Sequence, residues 1–261
     1  MISRYRWFAI ALTPIYLAAC AAQQQPPSNP QWQVGRLAAR PTLVTSGAAA
    51  TGLQRLNLGS GRDGVVYVPK RVQTPAPLLL MLHGSGASGE RILRRIQPMA
   101  DAIGAIVVAP DARDYTWDVA KGRVTEDGGG LDRIGADVAF IDRALERVFA
   151  RHAIDPKHIA IGGFSDGASY ALSLGLANGD LFTHIIAFSP GFVRLHTTAG
   201  QPQIFLSHGT ADRVLPIDQT ARRIARALQE AGYDLEYVEF PGEHTVPDQI
   251  AQEALTAWFG G

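Results

Sequence analysis

The sequence predicts an α/β fold with a mostly parallel central sheet, helices on both faces and no large cap domain. Segments with the composition of strands alternate with helical segments between residues 53 and 259, and such alternation is typical of parallel sheets with crossover helices. Several strand segments, such as residues 78–82, are short and continuously apolar, as expected for strands buried on both faces. With 46% hydrophobic and 18% charged residues, the chain can bury such a core in a single domain, which we assign to residues 51–261.

The predicted elements begin with two antiparallel edge strands, residues 53–58 and 64–68, because the glycine-rich sequence between them has hairpin-turn chemistry. The further predicted strands are residues 78–82, 105–109, 159–161, 184–188, 203–206 and 235–240, and the predicted helices are residues 89–104, 132–151, 168–178, 218–231 and 247–259. The longest connection, residues 112–130, is long enough to be functional but too short to form a helical cap. We therefore expect an open cleft.

Residues 1–19 have the pattern of an export signal, with Arg4 and Arg6 before an apolar run that is too short to span a bilayer. The run ends in Leu-Ala-Ala-Cys20, which resembles the lipobox of bacterial lipoproteins, where the cysteine is acylated and becomes the new N-terminus. Cys20 is the only cysteine, so the rest of the chain has no disulfide chemistry. The alternative is an ordinary secretory signal that is cut after a small residue.

Residues 20–50 are rich in Ala, Gln, Pro and Gly without periodicity, and we predict a lipid-bearing N-terminus and a flexible tether there. The lipoprotein resemblance implies that the protein is exported and anchored in the bacterial cell envelope. Ala21 stands where aspartate would signal retention in the inner membrane, so the resemblance implies the outer membrane, facing the periplasm.

Residues 158–173, HIAIGGFSDGASYALS, predict a strand, a tight turn and a helix, with Ser165 at the apex of the turn. Gly163 and Gly167 are required because the strand and the helix approach each other too closely for side chains at these positions. Such a turn holds the serine hydroxyl above the sheet as a nucleophile. The alternative is a glycine-rich turn in which Ser165 serves only as a helix N-cap.

A serine nucleophile needs a histidine to take its proton and a carboxylate to orient that histidine. Asp212 and His244 fit these roles, because each follows a predicted strand and the C-terminal ends of parallel strands meet at one edge of a sheet. The disfavoured alternatives are His208, which precedes the acid and closes its strand, His158 and His184, which begin strands, His152 and His196 in polar connections, Asp218 as a helix N-cap, and Asp180 as a loop residue.

Four motifs in this order resemble the phospholipase/carboxylesterase branch of the serine α/β-hydrolases, close to the polyhydroxybutyrate-depolymerase-like esterases. They are His83-Gly84, Gly163-Phe164-Ser165-Asp166-Gly167, His208-Gly209-Thr210-Ala211-Asp212 and Gly242-Glu243-His244. The resemblance covers residues 53–259 and implies an α/β-hydrolase fold that hydrolyses carboxylic esters without a metal or an organic cofactor. The loop after His83-Gly84 lacks the acidic residue found in typical members.

The fold also implies two backbone N–H donors for the oxyanion, one from the residue after the nucleophile, Asp166, and one from the loop after the third strand. We assign the second donor to Ser85, with Gly84 as the alternative, and a plain glycine turn is the non-catalytic interpretation. We expect His83 to orient this loop by hydrogen bonding. Tyr115 and Trp117, in the longest loop, either line a substrate pocket or pack onto the core.

The leading hypothesis is a serine esterase that forms an acyl-enzyme on a small-molecule ester. Zero net charge and a pI near 7.1 give no indication of a nucleic-acid partner. A serine peptidase or an acyltransferase on the same triad is an alternative. A non-catalytic, ligand-binding surface lipoprotein is another, although degenerate hydrolases usually lose a triad member and this sequence has kept all three.

Overall fold

The computed structural model describes residues 35–42, 50–59, 61–121 and 135–260. The strands are β1 (Gly52–Arg55), β2 (Gly64–Val68), β3 (Ala76–Leu82), β4 (Ile106–Pro110), β5 (Ile154–Phe164), β6 (His184–Phe188), β7 (Gln203–Gly209) and β8 (Leu235–Phe240). The helices are α1 (Gly89–Ile103), α2 (Asp118–Lys121), α3 (Ala136–Phe149), α4 (Asp166–Ala177), α5 (Ala221–Glu230) and α6 (Asp248–Gly260). Within these ranges no helix has the length and apolar character needed to cross a bilayer. The predicted signal peptide, Cys20 and residues 20–34 and 43–49 of the predicted tether lie outside the described residues.

The strands form one sheet in the order β1-β2-β4-β3-β5-β6-β7-β8. Strand β2 pairs antiparallel with β1 and β4, and the five other neighbouring pairs are parallel. This confirms a mostly parallel sheet with antiparallel strands at one edge. The chain passes from β3 to β4 on one side, and β5 then pairs with β3 on the other side. In open α/β sheets, sites form at the C-terminal ends of strands where the winding reverses in this way.

Alternate residues of the central strands face two hydrophobic cores, one on each side of the sheet. In β3, Leu78, Leu80 and Leu82 belong to the core beneath α3, α4 and α5, whereas Leu79 and Met81 belong to the core beneath α1 and α6. All five side chains are buried. Helices therefore cover both faces, which explains why this strand is continuously apolar in sequence.

The main differences from the predicted elements have local causes. Strand β5 begins at Ile154 rather than at residue 159, and in its added residues Asp155 and His158 are half-buried while residues 156 and 157 are exposed, although the backbone is extended. The predicted helix at residues 218–231 is divided into a 3₁₀ turn, Ile217–Gln219, and α5, because Thr220 between them leaves the helical conformation with φ −125° and ψ −95°. Within the loop predicted at residues 112–130, the short helix α2 forms.

Residues 35–42 pack against the domain, which corrects the prediction that they belong to the flexible tether. Leu37 and Ala39 are buried in the core beneath α3 and α4. The buried Asn178 side chain accepts a hydrogen bond from Leu37 N at 2.8 Å and donates one to Gly35 O at 2.7 Å. The segment is irregular and has no periodicity, so its sequence carries no signal for this tertiary contact.

Removing the residues up to position 42 is expected to lower the free energy of unfolding by about 3–5 kcal/mol, because Leu37 leaves the core and buried polar groups lose their partners. Those groups include Asp142, whose Oδ1 accepts hydrogen bonds from Ala38 N and Ala39 N. Urea denaturation of forms that begin at residue 35 and at residue 43 measures the difference. Equal midpoints and slopes for the two forms would show that the segment does not stabilise the domain.

Candidate active site

Ser165 lies between the end of β5 and the start of α4, in a strained backbone conformation with φ 57° and ψ −122°. Such conformations cost about 1–3 kcal/mol and persist only where the surrounding structure enforces them. Here Ser165 N donates to Phe188 O at 2.9 Å, and Ser165 O accepts from Ser169 N at 3.0 Å. The turn is therefore fixed from β6 on one side and from α4 on the other.

The two glycines of the turn are sterically required, as the sequence predicts. A Cβ at Gly163 would lie 2.3 Å from the carbonyl carbon and oxygen of Gly167, and a Cβ at Gly167 would lie 2.3 Å from Leu82 O. These backbone atoms cannot move aside without separating β5, α4 and β3. Ser165 makes no side-chain N-cap hydrogen bond, so the alternative interpretation of its hydroxyl as a helix cap is wrong.

The structure brings Ser165, His244 and Asp212 together above the C-terminal edge of the sheet. His244 Nε2 lies 2.9 Å from Ser165 Oγ, and His244 Nδ1 lies 2.6 Å from Asp212 Oδ2. Because Nδ1 faces a carboxylate, it carries the proton, and Nε2 is then free to accept one from the serine. The three side chains form one continuous hydrogen-bonded relay.

The Asp212 carboxylate is buried and accepts several hydrogen bonds. Its Oδ1 accepts from Val214 N at 2.9 Å and from Leu215 N at 2.8 Å. Burial alone would raise the pKa of Asp212, but the N–H of Leu215, the His244 imidazole and the N–H of Val214 outweigh it and lower the pKa below its ordinary value. Asp212 is therefore ionised at neutral pH.

A second histidine, His208, contacts the same carboxylate. Its Nε2 lies 3.1 Å from Asp212 Oδ2 and 2.8 Å from Leu215 O, and its side chain is fully buried. Burial lowers the pKa of His208, so the ring is neutral, with its proton on Nε2 between two acceptors. From the sequence alone, His208 is only a competing base, because its contact with Asp212 depends on the turn that follows β7.

The loop after β3 lies directly beside the nucleophile. A Cβ at Gly84 would lie 3.4 Å from Ser165 Cβ, and Ala87 N donates to Gly84 O at 3.1 Å, which closes a turn. Within the described part of the chain, the N–H groups of Gly84 and Ser85 have no acceptor. The N–H of Asp166 lies in the first turn of α4, where helical N–H groups lack an intrahelical acceptor. The N–H groups of Ser85 and Gly84 are therefore both free to act as the second oxyanion donor.

His83 holds this loop by hydrogen bonds, as the sequence predicts. Its Nε2 accepts from Ala112 N at 3.0 Å, so its proton is on Nδ1, which donates to Gly84 O at 2.7 Å. Burial lowers the pKa of His83, and the ring is neutral. With both ring nitrogens occupied, His83 is an orienting group rather than an acid or a base.

The structure corrects the suggestion that Trp117 lines a substrate pocket. Trp117 is fully buried, stacks on Tyr170 with ring centroids 5.3 Å apart, and donates from Nε1 to His83 O at 2.7 Å. Tyr115, two residues earlier in the chain, has 67% of its surface exposed, and its contact with substrate stays a prediction. Phe164 is half-buried and packs with its ring centroid 4.8 Å from that of His244.

Two of the other candidate histidines, His158 and His184, have partners outside this relay. His158 pairs with Asp155 at 2.7 Å, and His184 contacts Thr183 at 2.9 Å near the opposite edge of the sheet. The described residues contain no cluster of three or more His, Cys, Asp or Glu side chains arranged to hold a metal ion.

Comparisons with known proteins agree with this architecture. Residues 131–257 match the phospholipase/carboxylesterase family. The chain is 26% identical over 202 residues to a protein named probable feruloyl esterase C from Aspergillus niger. The aligned region covers 74% of this chain and 69% of that protein. It is 28% identical over 144 residues to poly(3-hydroxybutyrate) depolymerase from Ralstonia pickettii. That aligned region covers 49% of this chain and 28% of that protein.

Among solved structures, the acetyl xylan esterase from Aspergillus awamori superposes with a TM-score of 0.61 at 16% sequence identity, covering 80% of this chain and 99% of that one. At this identity the likeness concerns the fold. Together with the mostly parallel eight-stranded sheet, it shows that the chain has the α/β-hydrolase fold.

Proposed function

We propose that this chain, a carboxylic ester hydrolase of the α/β-hydrolase fold, cleaves its substrates through an acyl-enzyme intermediate on Ser165. The observation that carries the proposal is the unbroken relay from Asp212 Oδ2 through the His244 imidazole to Ser165 Oγ, with contacts of 2.6 Å and 2.9 Å. A serine hydroxyl is a weak nucleophile without such a base. The strained turn that exposes Ser165 supports the same role.

In the first half of the reaction, Ser165 Oγ attacks the ester carbonyl carbon while His244 Nε2 takes the hydroxyl proton. The carbonyl electron pair moves to its oxygen, and the resulting oxyanion accepts hydrogen bonds from the N–H of Asp166 and of Ser85 or Gly84. His244 then gives the proton to the leaving alkoxide, and the alcohol departs. Water repeats the sequence on the acyl-enzyme and releases the acid, while Asp212 stays ionised and holds the imidazolium.

We also propose that the substrates are small esters with an aromatic or apolar acyl group. Exposed apolar side chains follow the strands that end at this edge of the sheet: Tyr115 after β4, Leu195 after β6 and Val214 after β7, with exposed fractions of 67%, 45% and 68%. Apolar side chains exposed around a site commonly contact an apolar part of the ligand. The name of the Aspergillus niger relative refers to an aromatic acyl ester, which is consistent with this proposal.

Alcohol partitioning tests the acyl-enzyme directly. The purified protein is given esters that share one acyl group but differ in their leaving group, with methanol added to compete with water. A common acyl-enzyme gives the same ratio of methyl ester to free acid for every leaving group, and a ratio that depends on the leaving group would contradict the intermediate. In the same assay, feruloyl and longer acyl esters should give a higher kcat/KM than acetate, whereas preference for a peptide substrate would favour the peptidase alternative.

We propose further that the protein is held in the bacterial outer membrane by acylation of Cys20. Support comes from the sequence alone, in the basic residues, the apolar run and the Leu-Ala-Ala-Cys20 motif. Replacing Cys20 with Ser should move the protein from the membrane fraction to the soluble fraction and remove the mass of the acyl chains from the N-terminal peptide. Ser28→Ala, in the same predicted segment, should leave the protein in the membrane fraction. A membrane-bound Cys20→Ser protein would refute the anchor.

A further inference from the structure

Three consecutive residues of the loop after β4, Tyr115, Thr116 and Trp117, connect the two halves of the proposed oxyanion hole. We call these three residues the strap. Tyr115 O accepts a hydrogen bond from Gly86 N at 2.9 Å, and Trp117 Nε1 donates to His83 O at 2.7 Å. Both contacts hold the loop after β3, which carries one proposed N–H donor.

The middle residue of the strap holds the other half of the hole. Thr116 Oγ1 donates to Asp166 Oδ2 at 2.7 Å, and the backbone N–H of Asp166 is the first proposed oxyanion donor. The pairing of β3 with β5 ends at Leu82 and Gly163, before either donor is reached. The strap therefore links the loop after β3 to the start of α4 at a point where β3 and β5 are no longer paired.

Contacts with the core and with the start of α3 hold the strap in place. Trp117 is fully buried and stacked on Tyr170. Immediately after it, Asp118 and Asp137 exchange hydrogen bonds: Asp118 N donates to Asp137 Oδ2 at 2.7 Å, and Asp137 N donates to Asp118 Oδ2 at 3.1 Å. Both carboxyl groups are buried, so the loop is tied to the start of α3 by contacts from which water is excluded.

We infer that Thr116 is a positioning residue, which sets the alignment of the Asp166 N–H with the second oxyanion donor by holding the Asp166 side chain. This inference rests on the proposed acyl-enzyme mechanism. Thr116 need not touch the substrate, because its hydroxyl is occupied by Asp166. Its loss should weaken the stabilisation of the oxyanion, which forms only in the transition state, and leave binding of the ground state unchanged.

Thr116→Val removes the hydroxyl and keeps the size of the side chain. We expect kcat for a p-nitrophenyl ester to fall about tenfold, less than the roughly 10²- to 10³-fold loss when an oxyanion donor is removed outright, while KM stays unchanged. The affinity for a boronic acid, which forms a tetrahedral adduct with the nucleophile, should fall by the same factor as kcat/KM. Thr116→Ser should restore both quantities.

Two further variants separate positioning from a structural effect. Asp166→Ala breaks the same hydrogen bond from the other side but keeps the N–H of residue 166, so it should reproduce the loss, and the double variant should lose no more than either single one. Thr183→Val is the matched control, because Thr183 Oγ1 also donates a hydrogen bond, to Ile159 O at 3.1 Å, but does so near the far edge of the sheet. It should leave kcat and boronic acid affinity unchanged.

Unchanged kcat and boronic acid affinity in Thr116→Val, or fully additive losses in the double variant, would overturn the inference. A failure of the proposed mechanism would look different. In that case the alcohol partitioning would depend on the leaving group in the wild-type protein and in the Thr116 variants alike.

Discussion

Ser165→Ala is expected to lower kcat for ester hydrolysis by roughly 10⁴- to 10⁶-fold, because the relay loses its nucleophile and only the oxyanion donors and substrate binding remain. The substitution keeps the Cβ, so the backbone at φ 57° stays as strained as before and the melting temperature should change little. Steady-state hydrolysis of p-nitrophenyl esters, together with thermal unfolding of the same samples, measures both quantities.

Ser88→Ala provides a control at a serine outside the relay. Ser88 Oγ accepts a hydrogen bond from Arg91 N at the start of α1, so its loss should cost about 1 kcal/mol of stability with little change in kcat. If Ser165→Ala retained most of its kcat while Ser88→Ala behaved as expected, another group would have to be the nucleophile.

Asp212→Asn is expected to lower kcat at neutral pH by about 10⁴-fold, because an amide no longer selects the imidazole tautomer that leaves Nε2 free to accept the serine proton. The site also loses the charge that would stabilise the imidazolium. Asp218→Asn is the matched control, since Asp218 is exposed and pairs with Arg222 at 2.7 Å, and such surface pairs contribute little. A small effect at Asp212, comparable with that at Asp218, would contradict the assigned role.

The lowered pKa of Asp212 also determines how this residue affects stability. A carboxyl group with a lowered pKa in the folded state stabilises the protein above its unfolded-state pKa, about 3.9, and that stabilisation is lost as the pH falls through the folded-state value. Between pH 5 and pH 8 the residue stays ionised. Asp212→Asn should therefore have a weaker acid dependence of stability below pH 4 than the wild-type protein, as measured by denaturant unfolding at a series of pH values.

The parts of the fold and site that could be predicted from sequence are those with local signals. The ranges of β2, β6 and β8 follow from short apolar or alternating runs. The turn at Ser165 follows from two glycines whose spacing only a close strand-to-helix approach requires. Asp212 and His244 could be placed at the same edge because parallel strands all end there.

The parts that could not be predicted depend on contacts between distant segments. Residues 35–42 have no periodicity, and their packing is determined by Asn178 and Asp142, more than a hundred residues away. As an aromatic residue in a long loop, Trp117 could be expected to line a pocket. Its stacking on Tyr170 and the hydrogen bond from its Nε1 to His83 O make it part of the core instead. His208 could be named from sequence, but its contact with Asp212 depends on how the loop after β7 folds back.

Mass-spectrometric mapping after reaction with a fluorophosphonate tests directly whether Ser165 is the activated nucleophile. The probe forms a covalent bond with a serine only when a neighbouring base activates it. We predict one adduct per chain, on the peptide that contains Ser165, formed rapidly by the wild-type protein and much more slowly by His244→Ala. An active protein that stays unlabelled, or that carries its adduct on a different residue, would show that Ser165 is not the activated nucleophile.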